Sequence, residues 1–422
     1  VTALLRTLFR SLLPAAIGLA AVACAREAPP PTAPAPADYE VSLTRPITEM
    51  PRRTIGFLDE GVWVSNELEG GRMSDAWREG DSLVVVHIAP ENAPINNSAW
   101  YAFKVWSEQS RTVRLRLSYE DGSHRYWPKV RRFGSDVWVP LDSAAVEVAE
   151  GNEGAVLSLE VGPDTVWVAG QEMKTSRFFH AWTDELAALP HVEKRPIGES
   201  ARGRPIHMVE FGAPDALRHV VLVSRQHPPE VTGTMALLPF VEELAGSSPL
   251  ALEFRERFRV HVVPLMNPDG VDLGHWRHNT GGVDLNRDWV AFHQPETRVV
   301  RDEVLRIMEA PGTELWFMAD FHSTRRDVFY TLDRRLETDP SGILDRWLGY
   351  LEEALPDYEV ADSPSLLATP MSRNWFYREF RTPGLIYEVG DDTDRELIRE
   401  VAVTAARGTM QVLLDALEER ER

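Results

Sequence analysis

Residues 219–244 read HVVLVSRQHPPEVTGTMALLPFVEEL. The run His219–Val223 is apolar and β-branched and reads as a buried strand, while Thr232–Leu244 has the composition of a helix. Between them lies His227-Pro228-Pro229-Glu230. The same rhythm continues downstream, with strand-like Val260–Leu265, helix-like Pro295–Met308 and strand-like Leu315–Ala319. A closing stretch from Asp394 to Leu417 places Leu397, Val401, Ala405, Met410, Leu413, Leu414 and Leu417 at helical spacing. Strands alternating with helices predict an α/β domain, a mixed and largely parallel central sheet flanked by helices. In such sheets, sites lie beyond the carboxyl ends of the strands.

Upstream, Ile55–Val168 alternates with period two. Val113, Leu115, Leu117 and Tyr119 face one way with Arg114, Arg116 and Ser118 between them, and Ala155, Leu157, Leu159 and Val161 repeat the pattern. Turn chemistry such as Asp121-Gly122-Ser123 separates the runs. This half is expected to be an antiparallel β-sandwich preceding the α/β domain. Trp63, Trp100, Trp106, Trp127 and Trp138 fall in strand-like runs and read as packing rather than as a sugar-binding face. The expected organisation is 1–24 signal, 25–50 linker, 51–185 sandwich and 186–422 catalytic domain.

The chain has 422 residues, a length that suggests about two to three domains. Sixty-five acidic against 45 basic residues give a net charge of −20, which argues against nucleic-acid binding or an anionic membrane surface as partner. One cysteine excludes a disulfide framework, a cysteine zinc finger and an iron–sulfur cluster. Any metal site must use histidine and carboxylates.

That cysteine, Cys24, follows an apolar run, Ser11–Ala23, preceded by Arg6 and Arg10, and the run is too short for a comfortable membrane span. Ala21-Val22-Ala23-Cys24 resembles a bacterial lipobox, although leucine is commoner where Ala21 stands. An ordinary secretory signal is the other reading. Pro29–Ala37 is almost pure Pro, Ala and Thr and reads as an extended tether. The expected location is exported, periplasmic or outer-membrane-anchored, with membrane attachment only through a lipidated Cys24.

Two ligands three residues apart, as in His227-x-x-Glu230, can converge on one zinc ion, though alone the pair is a weak signal and more often describes a surface histidine beside a carboxylate at a helix start. His322, in Ala319-Asp320-Phe321-His322-Ser323, follows another buried-looking strand. Asn267-Pro268-Asp269-Gly270 reads as a turn, and Arg277-His278-Asn279-Thr280-Gly281-Gly282-Val283-Asp284-Leu285-Asn286-Arg287 lies between these segments. Glu388 closes the strand-like Leu385–Tyr387. In this order, together with Arg202-Gly203-Arg204-Pro205-Ile206, these motifs resemble the zinc metallocarboxypeptidases of the carboxypeptidase A superfamily over about residues 190–422. The closest resemblance is to the cytosolic carboxypeptidase branch, which places a β-sandwich before the catalytic domain.

The resemblance implies one Zn²⁺ per chain, held by His227, Glu230 and His322 with a fourth position open for water. It implies Glu388 as general base and Arg277 as stabiliser of the developing oxyanion. Asn286 and Arg287 would bind the free C-terminal carboxylate of a peptide substrate, and Asp284 would orient His227. Arg373 aligns with the specificity position and would favour an acidic terminal side chain; a solvent-facing loop arginine is the alternative. A mobile tyrosine found in many relatives has no counterpart in Leu366–Pro370, and Tyr377 reads as a strand or core residue. The expected activity is removal of C-terminal amino acids from peptides. The alternatives are an amidase or carboxypeptidase acting on peptidoglycan stem peptides, and an inactive peptide-binding relative.

Overall fold

The computed structural model describes residues 44–80 and 82–422. Cys24, the export-signal segment and Pro29–Ala37 lie outside the described residues. Among the described residues no helix is long and apolar enough to cross a membrane.

The period-two runs form eleven strands in two sheets. These are β1 (Thr54–Phe57), β2 (Val62–Ser65), β3 (Asp75–Glu79), β4 (Leu83–Ile88), β5 (Ala102–Ser107), β6 (Arg111–Tyr119), β7 (Lys129–Arg132), β8 (Val139–Pro140), β9 (Val146–Val148), β10 (Gly154–Val161) and β11 (Val166–Ala169). One sheet runs β1-β2-β5-β11-β7-β8 and the other β3-β4-β6-β10-β9. All pairs are antiparallel except β4 with β6. On β6 and β10 the alternation does what it predicts: Val113, Leu115 and Leu117 pair with Leu159, Leu157 and Ala155, and all six are buried. Truncating Leu115 or Leu157 to alanine would cost about 2–5 kcal/mol through lost transfer energy and the cavity left behind. Trp100 is buried in the sandwich core and Trp127 and Trp138 pack against it, as the packing reading expects, whereas Trp63 and Trp106 are half-buried and stack on each other with ring centroids 6.2 Å apart.

The α/β half holds a seven-stranded mixed sheet, order β12-β13-β15-β14-β16-β18-β17. Its strands are β12 (Val192–Glu199), β13 (Pro205–Gly212), β14 (Arg218–Ser224), β15 (Phe258–Val263), β16 (Glu314–Thr324), β17 (Val328–Thr331) and β18 (Gly384–Gly390). The inner strands β15, β14, β16 and β18 are parallel, and the edge pairings are antiparallel. Its helices are α1 (Ser176–Leu186), α2 (Val231–Ala245), α3 (Pro249–Arg257), α4 (Pro268–Leu273), α5 (Pro295–Met308), α6 (Ile343–Ala354), α7 (Ser372–Phe380) and α8 (Arg395–Glu421).

The unbroken apolar run on β14 is explained by burial on both faces. Val220 and Leu222 join a core with Ala236, Phe240, Ala406 and Met410 of α2 and α8, whereas Val221 and Val223 join one with Val300, Val304 and Phe376 of α5 and α7. Asn267–Gly270 is not a free turn. Asn267 caps α4, its side-chain oxygen accepting from Gly270 N–H at 2.9 Å. The Arg202–Ile206 motif locks that cap: Arg204 Nη1 donates to Asp269 Oδ1 at 2.6 Å and Arg202 N–H to Asp269 Oδ2 at 2.9 Å. Tyr377 lies on a helix, α7, rather than a strand. It is buried in the core, its hydroxyl accepting from Arg381 Nη1 at 2.6 Å.

Candidate metal centre

His227 lies in the loop between β14 and α2, and Glu230 directly precedes α2. The loop is tied to itself by Arg225, which adopts φ +56° and donates from Nη2 to the Pro228 carbonyl at 2.7 Å. A non-glycine residue in the left-handed region costs energy that the surrounding contacts must hold. The Glu230 side chain makes no capping bond to α2. It turns toward the sheet, with Oε1 2.9 Å from His227 Nδ1 and Oε2 2.7 Å from His322 Nδ1.

His322 is within β16, two residues before its end, not beyond it. It meets the loop because α2 crosses β16 at Gly233: a Cβ there would stand 2.4 Å from the His322 carbonyl oxygen, so only glycine permits the approach. Ser323 Oγ accepts the Gly233 N–H at 2.8 Å and fixes the crossing.

The two Nδ1 atoms are 3.1 Å apart, and the ligand atoms of His227, Glu230 and His322 all lie within 4.8 Å of one another. A tetrahedral zinc with bonds of 2.0–2.1 Å requires donor separations of about 3.3 Å. Two imidazoles and one carboxylate therefore fit zinc after a movement of a few tenths of an ångström. Both rings are oriented by carboxylates. Asp284 Oδ1 is 2.8 Å from His227 Nε2, and Asp320 Oδ1 is 2.9 Å from His322 Nε2. An ionised carboxylate only accepts, so each Nε2 donates to its carboxylate, and each Nδ1, beside Glu230, is the atom that would turn its lone pair to a bound metal. Burial works against the charge on Asp284, but Arg277 and His227 outweigh it and hold the carboxyl well below the usual range.

Around the triad is a cavity of about 240 Å³ lined by His227, Glu230, Arg277, Asn286, Arg287, His322, Tyr330, Ser365, Met371, Arg373, Ile386 and Glu388. Larger hollows of about 480 Å³ border Leu332–Asp345 and the Trp127–Trp138 face, but among the described residues neither holds a group of side chains able to share a metal. Size does not mark the site; chemistry does.

Glu388 pairs in register with His322 across β16 and β18, inside the strand rather than at its close. Its Oε2 is buried and, among the described residues, has no hydrogen-bond partner. Burial first, and the charge of Glu230 second, push its pKa up to about 7, against the opposing pull of His322, His227 and Arg277. Arg277 donates from Nε to Asp284 Oδ2 at 2.8 Å, and its Nη1 stands 3.4 Å from Glu230 Oε1.

Asn286 is buried. Its side-chain oxygen accepts from Ser372 N–H at 3.0 Å and its Nδ2 is 3.3 Å from His322 Nε2. Arg287 donates to the Asn286 carbonyl at 2.8 Å and otherwise faces the cavity, half-buried. Arg373, at the start of α7, is fully buried and lines the same cavity, which sets aside the solvent-facing alternative. Its five N–H groups reach the Tyr330 and Thr331 carbonyls, Ser365 Oγ and Asn374 Oδ1, all of them neutral. Burial alone lowers its pKa to about 10, which leaves it charged at neutral pH.

Sequence reasoning missed Asp320, whose signal was available: on a strand, residues two apart share a face, as Asp320 and His322 do. It also missed Tyr330, Ser365, Met371 and Ile386. Tyr330 and Ile386 are directly paired on β17 and β18, which no local pattern announces. The cavity therefore has a tyrosine, reached from β17 and not from Leu366–Pro370.

A family model described as zinc carboxypeptidase matches residues 179–389. Human cytosolic carboxypeptidase 6 is 29% identical over 159 residues, covering 35% of this chain but only 31% of that protein. An uncharacterised protein of Zymomonas mobilis is 32% identical over 267 residues, 61% of this chain and 67% of its own length. The solved metallo-carboxypeptidase of Burkholderia cenocepacia has the same fold, with a TM-score of 0.69 at 18% identity over 85% of this chain and 99% of that one.

Proposed function

The chain belongs to the zinc carboxypeptidase family, and from that premise we propose that it removes C-terminal amino acids from peptides, preferring acidic ones. The observation that carries this reading is the partnerless carboxylate oxygen of Glu388 in the same cavity as the His227–Glu230–His322 cluster. A zinc ion held by those three residues would make a water nucleophilic near neutral pH and polarise the scissile carbonyl.

Glu388 is the general base. It accepts a proton from the attacking water and delivers it to the departing amine as the C–N bond breaks. Arg277, with a fixed charge in a site of low dielectric, faces the negative charge that develops on the carbonyl oxygen. Asn286 and Arg287 hold the terminal carboxylate of the substrate, an anion that an internal peptide bond does not offer. Arg373 supports the acidic preference. It is a buried cation on the cavity wall whose hydrogen bonds, among the described residues, go to neutral groups, so a substrate side-chain carboxylate would supply a countercharge.

The test is release of free amino acids from peptides ending in glutamate, leucine or lysine, with and without a chelator, followed by mass spectrometry. Chelator-sensitive release of glutamate supports the reading. Cleavage confined to purified wall fragments would favour the peptidoglycan alternative, and no cleavage with zinc bound would leave a binding protein. From the sequence alone, we also read Cys24 as a lipid attachment site on an exported protein. Metabolic lipid labelling that persists in a Cys24→Ser variant would reject that reading.

A further inference from the structure

Three consecutive backbone N–H groups of the α/β half converge on one side chain of the sandwich. Glu91, in the loop after β4, is fully buried. Its Oε2 accepts from Trp276 N–H at 2.7 Å, and its Oε1 accepts from Arg277 N–H at 3.0 Å and His278 N–H at 2.7 Å. The Trp276 side chain is also fully buried and joins the sandwich core, edge-on to Tyr119 at 6.5 Å. Two neighbours of Glu91 extend the grip. Asn92 Oδ1 lies 2.6 Å from His278 Nδ1, and Asn92 Nδ2 donates to the Gly282 carbonyl at 3.3 Å. With its amide oriented to satisfy both of its polar atoms, Asn96 accepts from Arg277 Nε at 3.2 Å and Nη1 at 3.0 Å.

We propose that Glu91 is a positioning residue for Arg277, so that the sandwich completes the active centre. The proposal rests on the carboxypeptidase reading of Arg277. Stabilising a developing oxyanion requires a charge already in place, because reorganising it during the reaction consumes the gain. Arg277 follows the α4 segment in a loop with no strand or helix to hold its backbone. Three successive backbone N–H groups converging on one carboxylate hold it as an anion, and losing the carboxylate leaves those donors without it. Burial opposes the charge on Glu91, but His275, Arg72 and His278 offset it, and its pKa falls below the ordinary value.

The test uses the full chain and two readouts. In the metal-free protein, amide hydrogen exchange is followed in the peptide spanning 274–282 and in β6 and β10. Glu91→Gln is expected to speed exchange at 276–278 at least tenfold while β6 and β10 keep their protection. In the zinc-loaded protein the same variant should lower kcat about 10²-fold, the scale of one lost oxyanion donor, with KM changed less than threefold. The double variant Glu91→Gln/Arg277→Ala should be no slower than Arg277→Ala alone. Should Glu91→Gln fail to fold, Glu91→Asp keeps the charge and shortens the reach; it should show the same pattern in weaker form. Unchanged exchange at 276–278, equal acceleration throughout the sandwich, or losses that add in the double variant would each overturn the proposal. A wild-type protein without carboxypeptidase activity would defeat the functional reading, while the exchange contrast would still decide the positioning.

Discussion

Oδ1 of Asp284 stands 2.8 Å from Nε2 of His227, and the other oxygen of the same carboxylate receives Arg277. One side chain thus orients His227 of the candidate metal site and Arg277, the arginine we propose to face the oxyanion. Asp284→Asn would present an amide that no longer enforces the Nε2 proton. Zinc affinity should fall about 10–100-fold, measured by competition with a chromophoric chelator. A variant binding zinc as tightly as the wild type would show that the ring is held by other means.

The raised pKa of Glu388, about 7 against an ordinary 4.5, carries a signed consequence for the metal-free protein. Between these values the native state holds a proton that the unfolded chain has released, so stability falls as pH rises from 5 to 7. The size is at most a few kcal/mol. Glu388→Gln removes this slope, and the metal-free variant should be the more stable protein above pH 7. Denaturant midpoints compared at pH 5 and 7.5 check it, and parallel shifts in both proteins would contradict the assignment. With zinc bound, the dication lowers this pKa, so kcat/KM should decline below a midpoint at or under pH 7.

Arg277 and Arg287 line one cavity, and in the roles we propose for them they should fail differently. Arg277→Ala removes charge stabilisation needed only as the reaction proceeds, and kcat should drop about 10²–10³-fold. Arg287→Ala removes a hold on the substrate carboxylate present before and during reaction, so KM should rise with kcat less affected. Steady-state kinetics on one peptide separate the two, and identical profiles would count against the division of labour.

For Arg373 the charge is what the proposed selectivity rests on, since its five N–H groups already have partners. Arg373→Gln removes the charge and also abandons carbonyl partners, costing about 1–3 kcal/mol of stability, whereas Arg373→Lys keeps the charge. The ratio of kcat/KM for glutamate-ended over leucine-ended peptides should fall about tenfold in Arg373→Gln and stay within about threefold in Arg373→Lys. A ratio unchanged in Arg373→Gln would place acidic selectivity elsewhere.

Much of this was legible in one dimension. The apolar run at 219–223, the periodicity of 113–119 and 155–161, and the spacing of His227 and Glu230 are local properties, and local propensity and burial respond to them directly. Pro295–Met308 was read to the residue. His322 and Glu388 were found as residue types in a motif order, but their places inside strands were not, because a strand buried on both faces has no periodic mark at its end.

The chain's order of residues determined which side chains could bind a metal, which segments would be strand or helix, and that two differently patterned halves follow one another. Tertiary structure alone decided that Gly233 lets α2 press onto β16, that His322 and Glu388 share a register, and that Glu91 of the sandwich reaches the amides around Arg277. The reason is distance along the chain. His227 and His322 are 95 residues apart and Glu91 and Arg277 186, so their meeting depends on strand order and packing, which short-range patterns do not encode.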